Sequence, residues 1–181
     1  TSITTNNLRA LLTANNYYSE IFNYAGLTKW GGWYKMVQAA NILYVQADKV
    51  AALSEKDRKM YRAEAVFLRN LAYLFLVRQF GDVPYYTNAY NQDPLPRMPM
   101  VEVLNKGIAD LMAVKNDLPW TYDDPSLVGI RAMRGGADVL LMHMNMWAAG
   151  FDEKNKEAYY KATDELGADI MSSSDYGLLP L

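Results

Sequence analysis

Cysteine is absent from this 181-residue chain, and histidine occurs only once, as His143. Without thiolates the chain forms no disulfide, and one imidazole cannot anchor the usual zinc centre, so we expect no metal and no cofactor. Nucleophilic triads also need a His or Cys beside the nucleophile, so the sequence predicts no catalytic residues. These scarcities favour a protein that binds its target over one that transforms it.

Neither sign of charge dominates, and no apolar run is long. The 18 basic and 20 acidic residues give a formal net charge of −2, too balanced for the basic surface of a nucleic-acid binder. The longest apolar run covers residues 71–77, far short of the ~20 residues that span a bilayer. Residues 1–7 hold neither a basic leader nor an apolar run, so we expect no signal peptide and a soluble chain.

The chain is rich in apolar and aromatic residues at helical spacing. These side chains make up 51% of the residues, enough for one helical domain over residues 1–181 with a substantial core. Ser54 with Asp57 resembles a capping box, and Pro99 suits the first position of a helix. Strand-like alternation is lacking, so the predicted fold class is all-α. The predicted helices cover residues 29–51, 54–80, 99–118 and 131–149, and a fifth ends near residue 173.

We expect these helices to stack in the manner of tetratricopeptide repeats. Two antiparallel pairs are predicted, residues 29–80 and 131–173, with the third helix wedged between them. From Ala65 to Val77 the second helix is apolar on nearly every side, which is typical of the element at the centre of a core. A helical stack needs neighbours to cover its ends, so residues 1–181 are expected to be part of a longer protein.

Three features inside the helical patterns need an interpretation. Asn41 lies on an apolar face, where an amide needs partners, so we expect it to tie its helix to a neighbouring backbone. His143 lies among apolar residues and is interpreted as a core histidine rather than a base or a ligand. The glycine pairs at 31–32 and 135–136 lack the preceding strand of a phosphate-binding loop, and we expect them to allow close helix approach.

Two long loops, residues 81–98 and 119–130, carry aromatic side chains beside polar ones. An aromatic ring can stack on the apolar face of a sugar, while amides, carboxylates and guanidinium groups pair with its hydroxyls. Loop aromatics also pack against their own scaffold or against a protein partner, and composition leaves these alternatives open. The aromatic residues of the two loops include Tyr85, Tyr86, Tyr90, Trp120 and Tyr122.

Several segments follow one another in an order that matches a known family. The most specific is the block from Ala63 to Pro84, which contains Ala-Glu-Ala-Val-Phe-Leu-Arg and Phe-Gly-Asp-Val-Pro. Before it stands Trp-Gly-Gly-Trp-Tyr-Lys-Met-Val-Gln-Ala-Ala-Asn at 30–41, and after it come Leu-Pro-Arg at 95–97, Leu-Pro at 118–119 and Tyr-Gly-Leu at 176–178. Over about residues 29–178 the chain resembles the RagB/SusD family of glycan-binding surface lipoproteins.

The resemblance implies a tetratricopeptide-like scaffold, anchored through a lipid at the cell surface, on the outer membrane of a Bacteroidetes cell. It also implies that the protein binds oligosaccharides, or peptides in some members, and passes them uncleaved to a SusC-like TonB-dependent transporter. The chain as given lacks the family's lipobox cysteine, its signal peptide and its long C-terminal half. By this resemblance it is the N-terminal portion of such a protein, and the membrane is reached only through a lipid anchor outside it.

The resulting prediction is non-catalytic glycan binding, with no metal site. One alternative is a helical-repeat adaptor that binds a protein or peptide partner. Another is a fragment of a helical glycan-processing enzyme whose paired carboxylates lie elsewhere. The candidate ligand-binding residues come from the two loops and from the start of the first helix, and they are Trp30, Trp33, Tyr85, Tyr86, Tyr90, Asn91, Trp120 and Tyr122.

Overall fold

Five α-helices dominate the computed structural model, which describes residues 29–177. Within that range extended backbone pairs at one isolated antiparallel bridge, Val83 with Met98, so the all-α prediction is confirmed. Residues 1–7 and 178, which entered the sequence predictions, lie outside the described range. The helices are α1 (Gly31–Ala47), α2 (Glu55–Phe80), α3 (Met100–Val114), α4 (Arg134–Ala149) and α5 (Lys156–Ser172), with short 3₁₀ helices at Lys115–Asp117 and Glu153–Asn155.

Local signals bound helix α2 at both ends. The Ser54 Oγ accepts a hydrogen bond from the Asp57 backbone N–H at 3.1 Å and donates one to the Asp57 carboxylate at 2.6 Å, so the predicted cap is confirmed. At the other end Gly81 adopts a φ of 68°, a left-handed conformation that favours glycine. Its N–H bonds to the Val77 carbonyl at 3.0 Å, which closes the last turn.

Helix α3 begins at Met100, one residue later than predicted, because Pro99 has a ψ of 136° and is the N-cap residue. Pro99 has no polar side chain with which to cap the helix. Instead, the Asp82 Oδ1 accepts a hydrogen bond from the Met100 N–H at 2.9 Å. The Val83–Met98 bridge lies beside this contact, with hydrogen bonds of 3.2 and 2.9 Å. Hydrogen bonds therefore hold the two ends of the loop between α2 and α3 together.

Helix α3 packs between α2 and α4, and α4 packs along α5. This confirms the predicted position of the third helix. Gly107 allows the close approach, since a Cβ there would stand 2.5 Å from both Asn70 Oδ1 on α2 and Met144 Cε on α4. None of the helices within residues 29–177 has the length and apolar character needed to cross a bilayer. Large, fully buried side chains include Val37, Tyr73, Leu76, Leu104, Leu111 and Leu141.

The prediction of a core histidine is wrong, and the prediction of close helix approach is wrong at Gly135. His143 is exposed on α4, with Nδ1 3.4 Å from an Arg78 Nη atom, because its position falls on the solvent side of the helix. At the glycines at 31–32, an added Cβ would have no atom of the described residues within 4 Å, and the prediction for this pair stays untested because residues 1–28 lie outside the described range. At Gly135 the close neighbour of such a Cβ is the Tyr176 ring, at 2.6 Å, and not another helix.

Candidate functional site

Side chains of α1 and α2 fasten the 81–98 loop to the scaffold. Asn41 is fully buried, and its Nδ2 donates to the carbonyls of Tyr86 and Asn88 at 3.4 and 3.3 Å. The Tyr73 hydroxyl donates to the Tyr86 carbonyl and accepts from the Tyr86 N–H, each at 2.9 Å. The prediction that Asn41 ties its helix to a neighbouring backbone is confirmed.

Behind this loop, the Arg69 side chain joins three helices. It is 3% exposed, and it donates from Nη1 to Asn41 Oδ1 at 2.7 Å and from Nη2 to Asp110 Oδ2 at 2.5 Å. The Asn70 amide donates to the same carboxylate oxygen at 3.2 Å. A buried guanidinium needs such partners because an uncompensated charge in the interior is costly. Arg69 on α2 therefore holds α1 and α3 at a set spacing.

A groove of about 510 Å³ opens where α1, α3 and the 81–98 loop meet. Its volume falls within the ~300–1,000 Å³ of small-ligand clefts. Its walls combine aromatic rings with hydroxyl, amide, carboxylate and guanidinium groups, which is the chemistry that the sequence predicted for a sugar site. We call it the Tyr90 groove, and its lining includes Tyr44, Arg69, Thr87, Asn88, Tyr90 and Asp110.

Tyr90 is the most accessible of the predicted ligand-binding residues, with 59% of its surface exposed. Its hydroxyl accepts a hydrogen bond from the Gln46 amide of α1 at 2.6 Å, which fixes the direction of the ring. The next residue, Asn91, is half-buried and donates from Nδ2 to the Asp93 carbonyl at 2.9 Å. Of the predicted residues, Tyr90 lines the groove, while Asn91 bonds within the loop.

Tyr85 and Tyr86 lie half-buried against the scaffold. The Tyr85 ring centroid is 4.6 Å from that of Tyr73, and the Tyr86 ring stacks on Tyr34 at 6.0 Å. Burial raises the pKa of Tyr85 to about 12, because a phenolate there would lose its hydration. Both rings therefore help to pack the loop onto α1 and α2.

Trp33, in the first turn of α1, is not among the residues that line the groove. Trp33 stacks on Phe75 of α2, with ring centroids 4.7 Å apart and an interplanar angle of 6°. Its Nε1 donates to Gln79 Oε1 at 3.2 Å. Phe75 is 38% exposed, so this pair forms an aromatic surface of its own. Trp30 is half-buried.

In the 119–130 loop, Trp120 and Tyr122 contact charged side chains. The Arg134 guanidinium carbon lies 4.7 Å from the Trp120 ring centroid. The Tyr122 hydroxyl lies 3.1 Å from a Glu64 carboxylate oxygen and 3.0 Å from the Ala132 carbonyl. Burial, reinforced by the Glu64 charge, raises the pKa of Tyr122 to about 12. Between Trp33 and Tyr122, the predicted residues therefore lie at three locations and do not converge on one site.

Sequence reasoning missed the helical side of the groove, Tyr44, Arg69 and Asp110. The predicted binding residues came from the two loops and from the start of the first helix, so these three helix residues were not among them. The sequence did hold one signal of this side of the groove: Asn41 and Arg69 are both polar residues on apolar helix faces. Such residues need partners, and the partner of Arg69 is Asp110 at the rim of the groove.

Other buried carboxylates are bound to cations. Glu64 accepts a hydrogen bond from Arg131 Nε at 2.8 Å, and the fully buried Asp138 accepts one from Lys115 Nζ at 2.7 Å. Within the described part of the chain, no group of three or more His, Asp or Glu side chains is arranged to hold a metal ion. These acids stabilise contacts between elements.

Residues 2–137 match the SusD-like family that is described as starch-binding and associating with the outer membrane. The chain belongs to the SusD/RagB family. A solved SusD homologue from Bacteroides thetaiotaomicron VPI-5482 is 40% identical to this SusD-like chain, with a TM-score of 0.82, over 99% of this chain and 41% of that one.

Two further relatives are more distant. Surface glycan-binding protein A from Bacteroides uniformis is 27% identical, with a TM-score of 0.69, over 83% of this chain and 32% of that one. SusD-like protein P2 of Formosa agariphila is 29% identical over 154 residues, which is 81% of this chain and 29% of that protein. The SusD-like chain thus spans less than half the length of each of these relatives.

Proposed function

We propose that this SusD-like chain belongs to a cell-surface protein that binds glycans without cleaving them. The Tyr90 groove carries the proposal, because an exposed ring stands there beside amide and carboxylate groups. A ring and hydrogen-bonding side chains complement the two kinds of surface that a sugar presents. The family description as starch-binding supports the same ligand class.

The buried acids already form ion pairs, and this supports binding without hydrolysis. Glycoside hydrolysis uses two carboxyl groups that face each other across the scissile bond, ~5–10 Å apart. Glu64 is bound by Arg131, and Asp138 by Lys115, so these acids are committed to ion pairs inside the scaffold. His143 is exposed beside Arg78.

Calorimetry with maltoheptaose and laminarihexaose, together with chromatography of the sugars after incubation, tests this proposal. We expect heat of binding with at least one neutral oligosaccharide and recovery of that sugar at its original length. Shortened products would show an enzyme. The absence of binding to any member of a broad glycan panel would contradict glycan recognition.

We further propose that the full-length protein is lipid-anchored at the outer membrane and passes its ligand to a SusC-like TonB-dependent transporter. The family's description as associating with the outer membrane supports this. Affinity purification of the full-length protein from detergent-solubilised outer membranes should recover such a transporter. Recovery of the protein alone, under conditions that preserve other membrane complexes, would count against the partnership.

A protein-binding adaptor is the second candidate, and one surface favours it. A cleft of about 540 Å³ lies between α4 and α5, with Met142, Met146, Tyr160 and Met171 in its lining. Methionine side chains adapt to varied partner surfaces. If this surface binds a partner protein, Met146→Lys should abolish that interaction and leave saccharide affinity unchanged.

A further inference from the structure

We propose that the Tyr90 groove binds one ring of a neutral saccharide and discriminates against anionic ones. Tyr90 would be the stacking surface and Asp110 a hydroxyl acceptor. This inference rests on the proposed glycan binding and deepens it, because it names the site and the charge class of the ligand.

The stacking surface is assigned by comparing the two tyrosines of the groove. The Tyr44 ring is covered by cations, with the guanidinium carbons of Arg62 and Arg69 at 4.2 and 5.7 Å from its centroid. The Tyr90 ring is 59% exposed and its hydroxyl is held by Gln46. A ring with a fixed direction loses little conformational entropy when a ligand stacks on it. Tyr90 is therefore the ring that a sugar can reach.

The charge of the ligand that the groove favours follows from the hydrogen bonds that its charged side chains already make. Arg69 is 3% exposed and donates to Asn41 and Asp110, so it offers little of its charge to a ligand. The Asp110 side chain is 28% exposed. Its Oδ2 receives the hydrogen bonds of Arg69 and Asn70.

Among the residues that line the groove, the ionised side chain that a ligand can reach is thus the Asp110 carboxylate, and Arg69 compensates part of its charge. Arg62, the other cation beside Tyr44, is paired with Asp48 at 3.1 Å. A carboxylate accepts hydrogen bonds from sugar hydroxyls, and it repels the carboxylates or sulfates of an anionic glycan. The exposed amide of Asn88 and hydroxyl of Thr87 add neutral hydrogen-bonding groups on the loop side. This lining favours a neutral ligand.

Calorimetric titration of the protein with maltoheptaose, laminarihexaose and an oligogalacturonate of similar length tests the inference. Tyr90→Ala should weaken binding of the neutral sugar at least ~5-fold, as loss of one aromatic contact predicts. Tyr90→Phe keeps the ring and loses only the hydrogen bond from Gln46, so binding should weaken less than in Tyr90→Ala, by about 2-fold at most. Tyr160→Ala, which removes a 39%-exposed tyrosine from α5, is the matched control and should not weaken binding.

Asp110→Asn tests the charge preference. Because Asp110 also pairs with the buried Arg69, the measured quantity is the ratio of the affinities for neutral and anionic sugars. A smaller folded fraction leaves that ratio unchanged, whereas loss of the repelling charge should reduce it at least ~5-fold.

The experiments can contradict the proposed site and the proposed function separately. If saccharide binding persists in Tyr90→Ala but is lost in Trp33→Ala or Trp120→Ala, the Tyr90 groove is the wrong site while glycan binding stands. Tighter binding of oligogalacturonate than of the neutral sugars would overturn the charge assignment. If the protein binds no saccharide, both the inference and the proposed function are overturned.

Discussion

Among single residues, Asn41 connects α1 with both α2 and the 81–98 loop. Its Nδ2 serves two carbonyls of the 81–98 loop, and its Oδ1 accepts a hydrogen bond from Arg69. Because Asn41 is fully buried, water cannot replace these bonds after truncation. Asn41→Ala should therefore lower the free energy of unfolding by about 3 kcal/mol, the cost of leaving several interior polar groups unpaired. Urea unfolding followed by circular dichroism measures the change.

Gln46→Ala is the matched control for that truncation. Gln46 lies on the same helix and donates one bond to the hydroxyl of the exposed Tyr90. Its loss should change the free energy of unfolding by less than about 0.5 kcal/mol, as for most surface substitutions. Equal costs for the two variants would show that the 81–98 loop does not depend on Asn41.

At the scale of elements, Gly107 sets how closely α3 approaches its two neighbours. A Cβ at this position would stand 2.5 Å from Asn70 Oδ1 and from Met144 Cε. Alanine normally stabilises a helix interior relative to glycine, but the steric conflict here outweighs that gain. Gly107→Ala should destabilise the protein by ~1–3 kcal/mol, the typical cost of overpacking. Thermal or urea unfolding reports the difference.

Gly136 offers a control in a neighbouring helix. The nearest atom to a Cβ there is Phe67 Cε2 at 3.9 Å, an ordinary contact distance. Gly136→Ala should stabilise the protein by roughly 0.5–1 kcal/mol through helix propensity. A gain at both glycines would contradict the role assigned to Gly107.

Helix α5 is fastened to the rest of the stack through Asp169. Its Oδ2 accepts hydrogen bonds from Lys115 Nζ at 2.9 Å and from Arg134 at 3.1 Å. These bonds, with that of Lys115 first, lower the pKa of Asp169 below its usual value of 3.8. The folded state thus binds this proton less readily than the unfolded state does.

Asp169→Asn should reveal the acid dependence of this contact. A lowered pKa stabilises the folded state above ~pH 4, and this stabilisation is lost as the pH falls through the folded-state pKa. The stability gap between parent and variant should therefore be present at neutral pH and close in acid. Since the Asp169 side chain is 42% exposed, solvent screening keeps the gap within about 1 kcal/mol. Urea titrations over a pH series measure it.

Asp164→Asn, which removes one exposed carboxylate from the same helix, is the control for net charge. A gap that closes equally for both variants would show that charge alone, and not the contact with Lys115 and Arg134, explains the effect.

At the scale of the whole molecule, tyrosines packed into the scaffold make the fold sensitive to alkali. Burial raises the pKa of Tyr85 and Tyr122 to about 12, and it also raises those of Tyr34 and Tyr73. Above ~pH 10 the unfolded chain loses tyrosine protons that the folded chain keeps. The free energy of unfolding should therefore fall as the pH rises beyond that point.

Tyr122→Phe removes one of these tyrosine protons, so the free energy of unfolding should fall less steeply with rising pH in this variant. Other groups that titrate above ~pH 10 cancel when parent and variant are compared. Urea midpoints measured from ~pH 9 to ~pH 11.5 give the two slopes. Parallel declines would show that the Tyr122 proton does not contribute.

The elements were largely predictable from the sequence, because their signals are local. The Ser54 cap and the glycine at 81 lie within one turn of the bonds they form, so the bounds of α2 followed directly. His143 was misplaced because its helix is apolar at many positions, so composition did not show which side faces solvent. The contact at Gly107 was missed for a related reason, since its partners lie 37 residues away in each direction, at Asn70 and Met144.

The candidate site was only partly predictable. Tyr90 was found through its loop composition, whereas Arg69 and Asp110 lie on helices whose meeting no local pattern indicates. That residues 1–181 form one domain, at the N-terminal end of a longer protein, stays a prediction.

The sequence by itself determined the helices, their order and the family, because periodicity, caps and motif order depend on neighbours along the chain. Only the tertiary structure decided which polar groups meet. Asn41, Arg69 and Asp110 come from three helices, and their hydrogen bonds exist only once packing brings those helices together. The same packing divided the predicted aromatic residues among three surfaces and left the Tyr90 ring exposed beside a carboxylate.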